Sequence, residues 1–186
     1  YIFPAETPEG QSVGVVKNLS YLTHITINSN SEILYNIIEP KIKLLDDCSN
    51  KELYENVKVF INGNWIGISF QPYDLFLSLK EQKYKGILNI YTSIVFDYKN
   101  MEIKVCNDAG RMTRPVLRVI QNNILFNDKM KNDLTNNKSV WDDYMVNHNY
   151  EHSMLEYIDS EEQNVSMIAM NGNELEKKGT KYTHCE

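Results

Sequence analysis

The sequence predicts an α+β fold, built from small mixed helix and strand modules that carry antiparallel hairpins. Two pairs of short apolar runs are each joined by a tight turn, and a run with helical spacing lies between the pairs. No internal repeat or sustained heptad competes with that reading. The chain has 186 residues, 42% hydrophobic and 24% charged, so it is neither disordered nor fibrous in bulk. That length fits one ordinary domain or two or three small ones that lean on each other.

Residues 1–20 are rich in turn formers, with Pro4, Pro8, Gly10 and Gly14 among them. The prolines hold the residues before them extended. Tyr21 to Asn28 alternates as a strand does. Ser31 is placed to cap a short helix with Ile33, Leu34, Ile37 and Ile38 apolar, ending near Pro40. Residues 39–56 are polar and predict a loop or variable insert. Val57–Ile61 and Trp65–Ile68 flank Asn62-Gly63, whose residue types accept the positive φ of a type I′ turn. The expected pair is an antiparallel hairpin with Trp65 on the helix that Pro72 starts and Gly86 stops. Ile94–Tyr98 and Glu102–Cys106 form a second hairpin, and Asn107–Gly110 a turn. Thr113–Ile120 is a further strand in which Pro115 marks an edge or a first position. Helices are expected over Asp128–Leu134 and Val140–Val146, a buried strand over Val165–Met170, and a short helix at Glu174–Lys178 capped by Asn173.

The net charge is −6, which argues against a free-standing binder of nucleic acid through a general positive field. It leaves room for a short segment that touches nucleic acid inside a larger assembly. Cys48, Cys106 and Cys185 are too scattered for a disulfide framework, which points to a reducing compartment. No apolar run is long enough to span a membrane, so no membrane partner is expected. Tyr1–Glu6 has neither a basic nor an apolar leader region, and position 1 is not Met. A processed chain or a piece of something longer is therefore expected. Asn occurs 22 times and Arg only three times, at Arg111, Arg114 and Arg118. AT-rich codons explain the asparagines. Arginines that persist against such a bias suggest positions where lysine would not serve, since only arginine offers a planar fork of donors.

The chemistry-bearing clusters each have a plain reading beside the sharp one. His184-Cys185-Glu186 places three metal-ligand types in a row, but neighbours on an extended segment point to opposite faces. His148 and His152 have the i,i+4 spacing of a zinc pair, without an evident third ligand. Asp159, Glu161 and Glu162 offer Mg²⁺ binding or acid–base chemistry, with a solvated acidic turn as the simpler reading. No phosphate loop, dinucleotide fingerprint or nucleophile elbow is present. Glu6-Thr7-Pro8-Glu9-Gly10 stands apart, because proline-stiffened backbone lowers the entropy cost of presenting polar groups.

Several segments together resemble the second-largest subunit of multisubunit DNA-directed RNA polymerase, in its eukaryotic and large-DNA-virus form. They are Pro4–Gln11 with Val15–Ser20, Val59–Gly67, Asp108–Arg111 with Arg114-Pro115, Glu156–Glu162, Ile168–Met170 and Thr183–Glu186. They follow the family's order at near-family spacing. Residues 39–56 and 121–152 match poorly, and Arg118 stands where the family usually has an apolar residue.

The resemblance implies an internal fragment. Residues 1–50 would be the fork region, 51–120 the first external domain, 121–182 the second, and 183–186 the start of the hybrid-binding domain. It implies that Glu9 and Gln11 face the RNA–DNA hybrid, with Glu6, Lys17 and Asn18 supporting the loop. Arg111 and Arg114 are possible contacts to nucleic acid or to another subunit. No cofactor is implied for this stretch: the Mg²⁺ of the whole polymerase is held by aspartates of the largest subunit. The implied partners are that subunit, the other polymerase subunits, the DNA template and nascent RNA. The implied activity is nucleotidyl transfer by the complex, with the fragment inactive alone, in a nucleus or, for a virus, in host cytoplasm or virion. The alternative is a non-catalytic protein-interaction module derived from the external domains.

Overall fold

A computed structural model describes residues 1–146, 153–176 and 179–186. The chain begins with a two-stranded ribbon, β1 (Ile2–Phe3) antiparallel to β2 (Asn18–Leu19). Of the alternating stretch after it, only β3 (His24–Ile25) pairs, and Ile27 is exposed. Helix α1 (Glu32–Ile38) buries Leu34 and Ile38. Ser31 sits at its N-cap without making a capping bond: its backbone is already helical, and its hydroxyl accepts from Asn62 Nδ2 at 3.2 Å and donates to Asn107 Oδ1 at 3.0 Å.

Residues 39–56 are more ordered than a loop. Two 3₁₀ turns flank β4 (Lys43–Leu44), and α2 (Asn50–Glu55) follows. A capping box drives α2: Ser49 accepts from the Glu52 N–H, and the Glu52 carboxylate accepts from the Ser49 N–H at 2.8 Å.

Asn62 and Gly63 take φ of 48° and 82°, the doubly positive pair that a type I′ turn requires. They join β5 (Val57–Ile61) to β6 (Asn64–Ser69) as an antiparallel hairpin. The register slips after Val59↔Gly67 to Phe60↔Trp65, leaving Ile66 as the extra residue of a bulge. This corrects the expected packing of Trp65. Its ring stacks on Phe60, at 6.2 Å between centroids, with Lys58 over it at 5.3 Å. Ile66 joins Leu75 and Leu79 in the core instead.

Helix α3 (Pro72–Tyr84) has Pro72 in its first turn. Strands β7 (Ser93–Asp97) and β8 (Glu102–Cys106) form the second hairpin, and β8 lies parallel to β5. The five-stranded sheet runs β4-β6-β5-β8-β7. Its inward face packs with α1 and α3 into one core of Leu34, Ile38, Val59, Leu79, Ile103 and Val105 among others. Each such side chain contributes about 1.5–3 kcal/mol of burial.

The second sheet is organised by β9 (Met112–Ile120). β10 (Asn123–Ile124) folds back on its end. Helices α4 (Asp128–Thr135) and α5 (Asp142–Met145) follow. Strand β11 (Leu155–Asp159) lies along one edge of β9. On the other edge β3 pairs at Met112–Thr113 and β13 (His184–Cys185) at Leu117–Arg118. Pro115 is therefore neither at an edge strand nor first in its strand. The Arg118 N–H bonds towards β11 and the Val119 N–H towards Thr183, so alternation aims the Pro115 nitrogen into the gap between β3 and β13, where no donor is needed. Helix α6 (Ser160–Val165) and β12 (Ile168–Ala169) replace the expected buried strand at 165–170. Met167 and Met170 are exposed there. Gly172–Glu176 is a 3₁₀ turn, and Lys178 lies outside the described residues. Val119, Ala169, Leu175 and Cys185 form a second, smaller core. Among the described residues no helix is long and apolar enough to cross a membrane.

Candidate nucleic-acid interface and the charged seam behind it

The ribbon of β1 and β2 carries a loop over residues 4–17. Thr7 braces it: its Oγ1 accepts from the Gly14 N–H at 2.9 Å and donates to the Val16 carbonyl at 3.3 Å. Asn18 Nδ2 donates to the Glu6 carbonyl at 3.3 Å. Gly10 and Gly14 turn the chain at φ of 89° and 74°, a region costly for residues with a Cβ. The loop is thus internally fixed, yet Glu6, Glu9, Gln11 and Lys17 are all exposed. Among the described residues none of these four side chains has a hydrogen-bond or ion-pair partner. Glu6 supports the loop through its backbone, and Asn18 through its amide. Thr7 was not singled out by sequence reasoning; its place before Pro8 in a turn-rich stretch was the available signal.

Arg111 and Arg114 are turned inward to the chain. The Arg111 guanidinium donates to Asp108 Oδ1 and Asp159 Oδ2, both at 2.8 Å, and to the Tyr91 carbonyl at 2.9 Å. Arg114 donates to Gln163 Oε1 at 3.2 Å, pairs with Glu186, and lies 5.6 Å over the Tyr1 ring. Arg118 is buried, with its guanidinium 3.6 Å over the Tyr84 ring.

The acidic motif at 156–162 is buried, contrary to a solvated turn. Glu156 is 2% exposed and Glu162 also 2%, which matters because an unpaired charge at that depth would be prohibitive. Glu156 Oε1 accepts from Lys80 at 2.7 Å and Lys83 at 3.1 Å. Its Oε2 accepts from Tyr84 at 2.8 Å and lies 3.0 Å from His184 Nε2. Glu162 Oε1 accepts from Lys80 at 2.7 Å and from the Ile94 N–H at 3.1 Å. Lys83 also donates to the Tyr157 carbonyl at 3.0 Å. Asp159 caps α6 through the Glu162 N–H at 2.9 Å. Only Glu161 of the acidic group points to solvent.

This seam joins α3 of the first sheet to β11, α6 and β13 of the second. Burial works against the charge of Glu156, but Lys80, Lys83 and His184 outweigh it and hold its carboxyl well below the usual range. Burial likewise opposes Lys80, and Glu156 and Glu162 more than compensate, so its ammonium is held well above the usual range. Burial and the neighbouring Glu156 raise the Tyr84 phenol. One side of the seam opens into a groove of about 610 Å³ floored by Phe76, Phe96, Lys80 and Glu162.

Asp159 and Glu162 do not fit the Mg²⁺ reading, because they already face Arg111, Lys80 and Lys83. Among the described residues no group of three or more His, Cys, Asp or Glu side chains is placed to bind a metal ion. His184 and Cys185 are buried in β13, while Glu186 faces Arg114. His148 and His152 lie outside the described residues.

Two family models match the chain. Residues 1–25 match RNA polymerase Rpb2, domain 3, and residues 59–120 match RNA polymerase Rpb2, domain 4. The chain belongs to the RNA polymerase Rpb2 family. It is 36% identical to a DNA-directed RNA polymerase II subunit RPB2 of Encephalitozoon cuniculi, over 100% of this chain and 16% of that protein. It is 32% identical to DNA-directed RNA polymerase subunit 2 of Acanthamoeba polyphaga mimivirus, over 90% of this chain and 14% of that protein. A probable RPB2 homologue of Invertebrate iridescent virus 6 is 30% identical, over 98% of this chain and 15% of that protein. The chain thus spans about a sixth of the length of these relatives. Within this Rpb2-family stretch the exposed loop falls in the first matched range and Arg111 and Arg114 in the second. The seam carboxylates of β11 and α6 lie beyond both ranges, in sequence that the relatives nevertheless cover.

Proposed function

We propose that this chain works as part of a DNA-directed RNA polymerase and that its 4–17 loop faces the RNA–DNA hybrid near the growing RNA end. Glu9 and Gln11 are the contacting side chains. The observation that supports this most is a contrast in commitment: the loop is braced by Thr7 and Asn18, while Glu9 and Gln11 remain exposed and unengaged. A carboxylate is repelled by phosphates, so Glu9 accepts hydrogen bonds from 2′-hydroxyl or base donors, or meets a cation of a neighbouring subunit. Gln11 both donates and accepts, which suits a sugar–phosphate edge.

In this reading residues 1–50 are fork region, 51–120 and 121–182 the two external domains, and 183–186 the entry to the hybrid-binding domain. The partners are the largest subunit, the other polymerase subunits, the template and the transcript, in a eukaryotic nucleus or an infected cell. The Mg²⁺ for nucleotidyl transfer is carried by the largest subunit, and this chain alone is inactive. The test is Glu9→Ala and Gln11→Ala in the assembled polymerase, assayed for elongation rate and misincorporation. A change in either quantity with normal assembly is expected. Parental speed and fidelity in both variants would overturn the assignment.

A further inference from the structure

Among the described residues, hydrogen bonds join the 4–17 loop to the rest of the chain only through its roots: every hydrogen bond made by residues 4–19 closes within the ribbon and its loop. The two roots are tied to each other, since Ser20 N–H and Thr23 Oγ1 both donate to the Tyr1 carbonyl, at 2.8 Å and 2.9 Å. Each root then meets one arginine of β9 or its leading turn.

At the first root the Tyr1 hydroxyl donates to the Ile158 carbonyl at 3.2 Å. The Tyr1 ring lies beneath Arg114, which Gln163 and Glu186 also engage. At the second root Thr26 and Arg111 exchange bonds: Thr26 N–H to the Arg111 carbonyl at 2.9 Å, and Arg111 N–H to Thr26 Oγ1 at 3.0 Å. The Arg111 guanidinium then spans three directions at once, to Asp108, Asp159 and the Tyr91 turn. The planar guanidinium does this from three separate nitrogens held in a fixed fork, whereas an ammonium offers its three donors from a single atom on a flexible stem. That fits the retention of arginine here in a chain with three arginines among 19 basic residues.

We propose that Arg111 and Arg114 are positioning residues, one at each root, that set the direction of the 4–17 loop relative to the two sheets. This rests on the hybrid-facing reading only for its consequence in transcription; the clamp itself is a property of the folded chain.

The experiment is residual dipolar coupling of backbone amides in the ¹⁵N-labelled chain, for the parent, Arg111→Lys, Arg114→Lys and the double variant. In the parent, amides of residues 10–16 should fit the same alignment tensor as β5 and β8. In the double variant those couplings should fall to about half while β5 and β8 keep theirs, as a rigid segment becomes mobile. Parental loop couplings in the double variant, or a loop already averaged in the parent, would overturn the proposal. Should the arginine variants also lose the β5 and β8 couplings, Tyr1→Phe decides, since it removes the hydroxyl with its bond to Ile158 and its side-chain hydrogen bond with Arg114 while keeping the ring. Reduced loop couplings on intact strands then support the clamp, and unchanged ones overturn it. No nucleic acid enters this measurement, so its failure and that of the Glu9 and Gln11 assay are distinguishable.

Discussion

Two regions of this chain carry conspicuous carboxylates, and they treat them in opposite ways. At the seam Glu156 and Glu162 are buried and surrounded by Lys80, Lys83, Tyr84 and His184. In the 4–17 loop Glu6 and Glu9 are exposed, and the rigidity comes from Thr7, Asn18 and two left-handed glycines. The first region spends its charges on holding two sheets together. The second leaves its charges available to something outside the chain. Residue type alone does not separate a structural carboxylate from a functional one; the partners and the depth do.

The largest effect that can break this comparison lies in the seam. Glu156→Ala leaves Lys80 and Lys83 buried with too little negative charge, so about 3–5 kcal/mol of stability should be lost. Urea unfolding of the variant beside the parent measures it. A loss below about 1 kcal/mol would place Glu156 among surface-like charges.

The pH dependence sharpens the same point. The Glu156 carboxyl titrates in the folded chain below its unfolded value, so its contribution is present above about pH 4.3 and disappears as pH falls through the folded value. Lys80 is raised, so its contribution holds below about pH 10.4 and is lost as pH rises through its folded value. Unfolding midpoints should therefore plateau at intermediate pH and drop at both ends. Glu156→Gln should flatten the acid arm.

Gly67 offers a smaller effect inside the first sheet. It pairs with Leu44 of β4, and a Cβ there would overlap the Lys43 carbonyl. Gly67→Ala should cost about 1–3 kcal/mol by forcing β4 away, read from the same unfolding curves. Smallest of all, Glu9→Ala and Gln11→Ala should change stability by no more than about 0.5 kcal/mol, the range of uncommitted surface positions.

Much of the first sheet was readable from sequence because local chemistry and global packing agree there. Asn62-Gly63 can hardly be anything but a tight turn, Pro72 opens a helix, and Glu102–Cys106 alternates cleanly while its partner strand is a short apolar run. Residues 39–56 look like a loop by composition although Ser49 and Glu52 stand at capping-box spacing, because polar composition masks the cap. Trp65 departs from its expected place because a bulge at Ile66 shifts the register, and alternation in one sequence carries no sign of a bulge. The strand at 165–170 failed because its apolar residues include two exposed methionines, and apolar runs need not be buried.

The candidate site was readable in part. Glu9 and Gln11 are marked by a motif rather than by periodicity, and nothing in the motif marks Thr7 as the residue that braces the loop. The seam was invisible to sequence because its cations come from α3, more than 70 positions before Glu156. No local pattern announces a pairing across that separation. The arginines at 111 and 114 were noticed for their rarity, but rarity does not say which way a guanidinium points.

The two carboxylate-bearing regions differ most in which of them should meet nucleic acid. The direct measurement places a photo-crosslinking residue at Gln11, and in a second preparation at the exposed Glu161, in the assembled polymerase paused on a defined RNA–DNA hybrid. Crosslinks from position 11 to nucleic acid close to the RNA 3′ end, with none from position 161, are the predicted result. Crosslinks from position 11 to protein alone, in a polymerase that still extends the transcript, would contradict it.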